Sequence, residues 1–475
     1  MEKKYYPTIG LEIHAELKTA TKMFCGCKND PDETKPNVNI CPVCMAHPGA
    51  LPVPNKKAIE HVIKVGLALG SNIADFTEFD RKNYFYPDIP KGYQISQYKY
   101  PIVSGGKLAG MDITRVHLEE DTANNKHFDT YSLIDFNRAG LPLMELVTEP
   151  HTFETAEEAA KQASKFAKEL QLILWYLGVS DANMEKGEMR VEANISISPE
   201  KDKLGTKVEV KNLNSFRSVE RAVIYEVARM VELHERGKAG EIVQETRGWD
   251  EGKQKTFSQR SKEDAHDYRY FPDPDLPKMK LHEAFDLEKM KNELPELPQA
   301  KRERYKKDFG IKEEDIEVYI NNPELDVTFS AIAEILTDHQ KIKIISNYIT
   351  SDFIGLAKNN PDAKMPSAAH MAELAEMITS GSIGSRGAKD ILALIVLNDE
   401  SPMKIAKEKN LLQSSDEGAL KDIVKKIIDA NPEVVATYKG GKENAIMSLV
   451  GKVIKESNGS ANPQIVIKLL KELLK

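Results

Sequence analysis

The segment Thr8-Ile-Gly-Leu-Glu-Ile-His-Ala-Glu-Leu17 alternates between two kinds of side chain without a break. Its odd-numbered positions are apolar, whereas Glu12, His14 and Glu16 share the other side. A period of two predicts a strand that is half buried on a core. The polar side stacks two carboxylates around an imidazole, each about 7 Å from the next at the rise of a strand. Such a row can supply a metal site or an acid/base site.

The same alternation recurs in the segments Thr114–Glu119, Arg190–Ile197 and Lys207–Lys211. Their polar sides carry Arg115, His117 and Glu119, then Arg190, Glu192 and Asn194, then Lys207, Glu209 and Lys211. If these strands share a sheet, one face of it combines carboxylates, imidazoles and cations, as in sites that handle phosphates with a divalent cation. The alternative is that each polar side simply faces water.

The composition is that of an ordinary globular protein. At 475 residues the chain is too long for one core, so about two or three domains are expected. A formal charge of −8 excludes a uniformly basic surface. No apolar run approaches the roughly 20 residues of a membrane span, and Met-Glu-Lys-Lys-Tyr-Tyr is not a signal peptide. We therefore expect a cytoplasmic protein without a membrane segment.

All four cysteines lie within twenty residues, as a C-x-C and a C-x2-C pair. They are Cys25, Cys27, Cys41 and Cys44. In a cytosolic chain without other cysteines, this spacing predicts a four-thiolate zinc site, with an unmetallated or redox-active pair as the alternative. Four thiolates leave no open coordination position, so the zinc would be structural.

The chain changes character at a series of prolines between Phe271 and Pro298. Residues 1–293 are strand-rich, with helical patterns at Lys56–Leu69, Glu157–Leu177 and Ser218–Arg236. Prolines at this density mark a boundary. The sequence beyond them is helical in pattern, with a second joint near Ala406, which predicts a helical domain over 294–405 and a tail domain over 406–475.

The tail is modestly basic, because it carries twelve lysines against nine acidic residues. Its formal charge of +3 leaves −11 on the rest of the chain. Such a helical tail can contact a phosphate backbone, although a solvated helical surface is the commoner explanation. Within it, Lys442, Lys452 and Asn462 are the candidate nucleic-acid contacts.

Several nucleotide and amidase motifs are missing from the sequence. It contains no G-x-x-x-x-G-K-[ST] and no strand–G-x-G-x-x-G–helix pattern, which argues against a P-loop or Rossmann site. Two segments instead mix aromatic and basic residues, Arg81–Gln97 and Asp267–Asp273. Aromatic rings between cations suit stacking on bases, or they simply fill the core beneath a loop.

Taken together, these features resemble the GatB family, the B subunits of heterotrimeric glutamyl/aspartyl-tRNA amidotransferases. The resemblance runs along the whole chain, in blocks that keep their order. These are Ile9-Gly-Leu-Glu-Ile-His14, Cys25-Gly-Cys27, Cys41-Pro-Val-Cys44, Asp80-Arg-Lys-Asn-Tyr-Phe-Tyr-Pro87, His117-Leu-Glu-Glu-Asp121, Asn137-Arg-Ala-Gly140, Lys211-Asn-Leu-Asn-Ser-Phe216, Asp267-Tyr-Arg-Tyr-Phe-Pro272 and Ala461-Asn-Pro-Gln464.

The resemblance implies an α+β fold, with an antiparallel-sheet catalytic domain and flanking helices, then a helical domain and a small tail that touches tRNA. It implies that ATP and Mg²⁺ serve to phosphorylate the side-chain carboxylate of Glu-tRNA(Gln) or Asp-tRNA(Asn). Ammonia then displaces the phosphate. The sequence lacks the serine-rich glycine loop of an amidase, so the ammonia would come from glutamine through an A subunit, with a small C subunit completing the heterotrimer.

The resemblance also implies site residues. Glu12, His14 and Glu120 would bind Mg²⁺, with Glu192 beside them and Lys211 as a further catalytic residue. Substrate and ammonia would meet Lys82, Asn83, Tyr84, Lys91, Asn212 and Arg269. One departure concerns Glu192, because the family members otherwise carry Asp there, and the extra methylene moves the carboxylate by about 1.5 Å.

Glu120 poses a geometric problem. By parity it lies on the apolar side of its strand, whereas Glu119 shares a side with Arg115 and His117. Strand parity and a Mg²⁺-binding role for Glu120 are compatible only if the strand ends or bulges at Leu118-Glu119. We therefore predict a kink there. Two alternative functions remain open on the residues alone, a metal-dependent phosphohydrolase and a non-catalytic tRNA-docking scaffold.

Overall fold

The computed structural model describes residues 4–261, 268–413, 417–457 and 461–474. Contacts divide the chain into two compact units, Met1–Pro298 and Gln299–Lys475. The first unit combines a large sheet with helices, and the described part of the second unit is helical. The predicted α+β class is confirmed. No helix within the described ranges is long and apolar enough to cross a membrane.

All of the regular strands that the structure describes belong to the first unit. They are β1 (Tyr6–Glu16), β2 (Asn72–Ile73), β3 (Phe76–Thr77), β4 (Asp80–Asn83), β5 (Tyr93–Ser96), β6 (Val103–Ser104), β7 (Lys107–Leu108), β8 (Met111–Glu120), β9 (Asn124–His127), β10 (Ser132–Asp135), β11 (Pro142–Thr148), β12 (His151–Thr152), β13 (Met189–Ser198), β14 (Val208–Leu213), β15 (Glu245–Asp250), β16 (Lys255–Ser261), β17 (Phe271–Pro272) and β18 (Met279–Lys280).

The α-helices of the first unit are α1 (Lys56–Ala68), α2 (Ala156–Tyr176), α3 (Phe216–Glu235), α4 (Leu281–Ala284) and α5 (Leu287–Asn292). Those that follow are α6 (Pro298–Phe309), α7 (Glu313–Ile320), α8 (Pro323–Leu336), α9 (His339–Asn347), α10 (Ile354–Asn359), α11 (Ala368–Thr379), α12 (Ser385–Asn398), α13 (Pro402–Glu408), α14 (Glu417–Asp429), α15 (Pro432–Lys439), α16 (Ile446–Glu456) and α17 (Pro463–Leu474). A π-helix, Tyr348–Phe353, joins α9 to α10.

The main sheet runs in the order β16-β15-β14-β13-β1-β11-β8-β6-β2, which places the opening strand in its middle. The pairs around β1 are antiparallel, as expected. The pair β14–β15 is parallel, so the sheet is mixed at this point. The long connection through α3 reverses the chain direction and allows this parallel pairing.

One face of the sheet is apolar and covered by helices. Ile9, Leu11 and Ile13 are fully buried on this face, and α1, α2 and α3 pack against it. Each such side chain contributes about 1.5–3 kcal/mol on burial. The three helices agree with the predicted ranges within about two residues. The polar side chains of the sheet therefore lie together on its opposite face.

A side-chain cap begins α2, and glycines follow the ends of α2 and α3. Thr155 accepts a hydrogen bond from the amide of Glu158 at the start of α2. Gly178 and Gly237 follow α2 and α3 with φ of +64° and +72°, the left-handed conformation that glycine adopts at helix C-termini.

The second unit contains a separate apolar cluster near the C-terminus, which includes Leu420, Leu449, Val466 and Leu470. The predicted joint near Ala406 lies inside α13, and Ala406 itself is fully buried. The helix thus continues through that position.

Candidate functional site

The polar face of the central sheet brings the four alternating segments together. Residues paired across neighbouring strands point to the same face, and the register aligns them in rows. One row is Glu192, Glu12, Val147 and Arg115. The next row is Arg190, His14, Glu145 and His117. A third row contains Glu16, Leu143 and Glu119. The face is thus an array of carboxylates, imidazoles and guanidinium groups.

His14 lies at the centre of a first cluster, with Glu119 and Glu145. Its Nε2 is 3.2 Å from Glu119 Oε1 and 3.5 Å from Glu145 Oε2. Burial opposes a charged imidazole, but the hydrogen bonds to these two carboxylates outweigh it and raise the pKa of His14 to about 10. Glu145 also lies 3.3 Å from His117 Nε2, and despite burial the two histidines hold its pKa well below the usual value.

A second cluster consists only of carboxylates, Glu12, Glu192 and Glu209. Their oxygens lie within 4.8 Å of one another, as do the ligand atoms of the first cluster. Burial and then the charges of Glu145 and Glu192 raise the pKa of Glu12. Lys211 Nζ lies 2.8 Å from Glu192 and 3.3 Å from Glu209, and it partly balances the charge. Three oxygens at this separation suit a hard divalent cation.

The clusters line one cavity of about 620 Å³. Further cations line it, among them Lys82 and Arg115. Lys82 is held over the ring of Tyr268, 4.9 Å from its centroid. Arg115 projects from the first row, and its buried Nε has no hydrogen-bond partner in the described part of the chain. A cavity with grouped carboxylates and cations can bind a polyphosphate together with divalent ions.

Glu120 does not belong to this cavity. Strand β8 pairs regularly with β11 through Leu118, Glu119 and Glu120, and the register shift between these strands lies at Val147/Thr148 instead. The predicted kink at Leu118-Glu119 is therefore wrong. Glu120 keeps the parity of its strand and points to the opposite face, so the predicted Mg²⁺ set of Glu12, His14 and Glu120 does not converge.

On that opposite face, Glu120 is buried and fully paired. Its carboxylate accepts hydrogen bonds from Lys91 Nζ at 2.6 Å and from the backbone amide of Ile95 at 2.9 Å. The pair borders a cavity of about 210 Å³ beside the cysteine loop. A narrow space of about 10 Å³ shares Lys91 and Glu120 with that cavity. It also shares Gln94, Asp121 and Thr122 with the large acidic cavity. The Lys91–Glu120 pair thus borders the smaller cavity and a constriction beside it whose lining overlaps that of the acidic cavity.

The other residues expected along the substrate path lie outside the lining of the acidic cavity. Asn83 donates hydrogen bonds to the carbonyl oxygens of Tyr268 and Arg269, at 3.1 and 2.9 Å. Tyr84 packs edge-on against Tyr268 at 5.9 Å. Asn212 and Arg269 are exposed, both with positive φ. None of these four residues lines the acidic cavity itself, but Asn83 and Tyr84 contact Tyr268, which does. Asp267, the first residue of one aromatic-basic segment, lies outside the described residues.

The four cysteines converge. Their sulfur atoms lie within 4.8 Å of one another. The Cys41 amide donates to Cys44 Sγ at 3.1 Å, and the contact with the Cys25 thiol lowers the pKa of Cys44 to about 5. A set of four sulfur donors matches tetrahedral zinc.

The three candidate tail residues belong to the second unit. Lys442 is exposed at a turn. Lys452 Nζ contacts the Asn431 side chain. Asn462 caps α17 by accepting from the Gln464 amide, and it donates to the Gly381 carbonyl at 3.3 Å. Asn462 therefore has a structural role in this fold.

Three carboxylates of the clusters were absent from the predicted ligand set: Glu119, whose place Glu120 held there, Glu145 and Glu209. Strand alternation already places Glu119 on the polar side, whereas Glu145 and Glu209 had no predicted role. Glu145 stands alone within the apolar run Leu141–Val147, and a lone acidic residue in such a run is buried only when it has partners. Glu209 belongs to one of the alternating segments of the sequence, but no role was predicted for it. The run and the alternation are the signals that could have identified them.

Comparisons with known proteins cover nearly the whole chain. A family model described as the GatB/GatE catalytic domain matches residues 7–286, and one described as the GatB domain matches residues 329–474. The B subunit of the aspartyl/glutamyl-tRNA(Asn/Gln) amidotransferase of Persephonella marina is 42% identical over 485 residues, which are 99% of this chain and 100% of the relative. B subunits of the same name from Brevibacillus brevis and Thermotoga maritima are 44% and 42% identical, each covering 99% of both chains.

Proposed function

Because this chain belongs to the family of aspartyl/glutamyl-tRNA(Asn/Gln) amidotransferase B subunits, we propose that its acidic cavity activates the side-chain carboxylate of a misacylated tRNA. The chain is the part of an amidotransferase complex that turns Glu-tRNA(Gln), Asp-tRNA(Asn) or both into the amidated forms. The reaction joins carbon to nitrogen at the expense of ATP.

The observation that carries this proposal is the pair of clusters on one sheet face, His14/Glu119/Glu145 and Glu12/Glu192/Glu209. A carboxylate is a poor acceptor for ammonia until its oxygen becomes part of a better leaving group. Phosphorylation provides that group, and phosphoryl transfer requires chiefly positioning and compensation of negative charge. The cavity supplies both from fixed strands of the central sheet.

The chain's own residues divide this work. Lys82, Arg115 and Lys211 compensate charge on the phosphoryl oxygens as the substrate carboxylate oxygen attacks the γ-phosphorus of ATP and ADP leaves. Ammonia then attacks the acyl carbon, phosphate departs and a proton is lost to give the neutral amide. When no substrate is bound, the carboxylates of the cavity hold these cations in position.

The two clusters fit the divalent ions that such a reaction uses. The all-oxygen cluster of Glu12, Glu192 and Glu209 matches the ligand preference of Mg²⁺, and His14 with Glu119 and Glu145 would hold a second ion, whose binding would displace the proton from His14 Nε2. When bound, Mg²⁺ supplies positive charge that orients the phosphates and weakens the bond to the leaving group. Glu119 replaces Glu120 in the ligand set that we propose.

We also propose that the constriction at Lys91 and Glu120 belongs to the path of ammonia. What supports this is that its lining overlaps both that of the cavity beside the cysteine loop and that of the acidic cavity. The Glu120 carboxylate and the Lys91 ammonium group would line the way by which neutral ammonia, the nucleophile, proceeds. Lys82 and Lys91 keep their expected role along this path, and Asn83 and Tyr84 act by supporting the Tyr268 segment.

The remaining assignments complete the proposal. An amidase A subunit supplies ammonia from glutamine, and a small C subunit completes a heterotrimer in the cytoplasm. Zinc bound by the four cysteines fastens the loop that borders the smaller cavity. Residues 1–293 carry the chemistry and 294–405 form a helical domain. In the tail, 406–475, the exposed Lys442 is the stronger candidate for a tRNA contact.

The experiment that tests this function is amidation by the complex assembled with both partner subunits. Glu-tRNA(Gln) and Asp-tRNA(Asn), labelled in the amino acid, are incubated with ATP, Mg²⁺ and glutamine. We expect labelled glutamine or asparagine after deacylation, and none without ATP. Hydrolysis of phosphoesters without amide product would support the phosphohydrolase, and tRNA binding without either reaction would support the scaffold.

A further inference from the structure

Four tyrosine rings, Tyr84, Tyr98, Tyr268 and Tyr270, form a wall beside the acidic cavity. Tyr98 and Tyr270 stack face to face, with ring centroids 4.5 Å apart and an interplanar angle of 12°. Tyr270 meets Tyr268 edge-on at 6.1 Å, and Tyr268 meets Tyr84 in the same way. Tyr98, Tyr268 and Tyr270 all line the cavity of about 620 Å³. Four rings therefore support one another along a single side.

The outermost ring of this wall is available to a ligand. Tyr98 is 60% exposed although one of its faces is covered by Tyr270. Its backbone is fixed, because the Tyr98 amide donates to the buried carboxylate of Asp80 at 2.8 Å. An aromatic ring that is packed on one face and exposed to solvent on the other is a preorganised stacking surface.

The position of this ring relative to the clusters indicates the kind of ligand. Ser96 Oγ lies 3.4 Å from Glu119 Oε2, in the first cluster. Tyr98 follows two residues later, at most about 7 Å along an extended chain. A ligand with an aromatic ring at one end and a charged group at the other would span this interval, and a nucleotide has this form.

We infer that Tyr98, supported by Tyr270, is the stacking platform for a purine base whose nucleotide reaches the acidic clusters. The inference rests on the proposed function, which brings two such bases to the cavity. One is the base of ATP and the other is the terminal base of the tRNA 3′ end. Both present the same flat ring, and stacking of either on an exposed tyrosine is tolerant of base identity.

Fluorescence of 2-aminopurine separates these sources, because the fluorophore is quenched when it stacks. The complex is titrated with 2-aminopurine riboside triphosphate in one arm, and with misacylated tRNA carrying 2-aminopurine at its 3′ end in the other. We expect quenching in one arm with the wild-type chain and its loss in Tyr98→Ala. The arm that responds names the source of the base.

Kinetics provide the second readout. Tyr98→Ala is expected to raise the KM of the responding substrate by about 5- to 150-fold, the usual cost of losing one stacked base. The KM of the other substrate should stay within about twofold, and Tyr98→Phe and Tyr98→Trp should retain quenching and KM. Tyr131→Ala is the matched control, since Tyr131 stacks on Phe128 at 4.8 Å and 16°, is 56% exposed and does not line the cavity.

Absence of quenching in both arms of the wild-type complex would overturn the inference. So would unchanged KM values in Tyr98→Ala, or an equal effect of Tyr131→Ala. The wild-type titration does not depend on any variant folding. Amidation by the same preparation separates the two claims, because an active complex without quenching refutes the platform alone. A quenched complex without amidation refutes the proposed function alone.

Discussion

Glu119 and Glu120 are adjacent in one strand, yet their carboxylates serve different cavities. Glu119 lies 3.2 Å from His14 Nε2 on the polar face of the sheet, whereas Glu120 lies 2.6 Å from Lys91 Nζ on the other. The alternation of an uninterrupted strand is sufficient to separate them. We therefore assign the first to phosphoryl transfer and the second to the supply of ammonia.

Replacing each of these neighbours by Gln should have different effects. We expect Glu119→Gln to weaken binding of Mn²⁺, a spectroscopic substitute for Mg²⁺, by at least about tenfold. Glu120→Gln should leave Mn²⁺ affinity and ADP formation within about twofold. It should lower glutamine-dependent amidation by about 100-fold, because the ion pair with Lys91 that lines the proposed ammonia path is lost. Electron paramagnetic resonance measures free Mn²⁺. Equal loss of Mn²⁺ affinity in both variants would contradict the division.

Glu145 and Glu209, the cluster carboxylates for which no role was predicted, provide a second test. Glu145→Gln and Glu209→Gln each remove one oxygen donor from a cluster, so each should reduce Mn²⁺ binding by about tenfold or more. Glu149→Gln is the control, because that side chain is exposed and accepts from Thr114 Oγ1 at 2.8 Å. Unaltered Mn²⁺ binding in both cluster variants would exclude them as ligands.

Arg115 should act on the transferring phosphoryl group. Its buried Nε has no hydrogen-bond partner among the described residues, so the side chain is not committed to a structural ion pair there. We expect Arg115→Gln to slow ADP formation by about 100-fold, with Arg115→Lys between it and the wild type. Arg221→Gln, which alters an exposed cation paired with Gln254, should have no effect. A normal rate in Arg115→Gln would remove this residue from the mechanism.

Zinc content tests the cysteine site. The chain purified without chelator should contain about one equivalent of zinc, and Cys44→Ser should lose the metal and unfold at a lower temperature. His47→Ala, in the same loop but without a sulfur ligand, should retain it. Less than about half an equivalent in the wild type would reject the four-thiolate site.

Much of this site could be predicted from local pattern. Alternation placed Glu12, His14, Glu119 and Glu192 on polar sides, and the sheet aligns those sides. The error over Glu120 arose because a motif resemblance identifies a segment but does not state which of two adjacent side chains faces the site. Strand parity contained that information.

The rest depends on contacts between distant segments. Glu145 becomes a partner of His14 only through the pairing of β1 with β11, and no local signal gives that register. The parallel pairing of β14 with β15 is likewise a product of topology. Asn83 resembled a substrate contact in sequence, but its amide supports the Tyr268 segment, nearly 200 positions further along the chain.

ADP formation by the assembled complex, measured with and without misacylated tRNA, tests the central claim most directly. We predict that ADP appears only when the misacylated tRNA is present, and that Glu12→Gln abolishes it although the complex still assembles. ADP release at the same rate without tRNA, or full activity in Glu12→Gln, would contradict the assignment of this cavity to carboxylate activation.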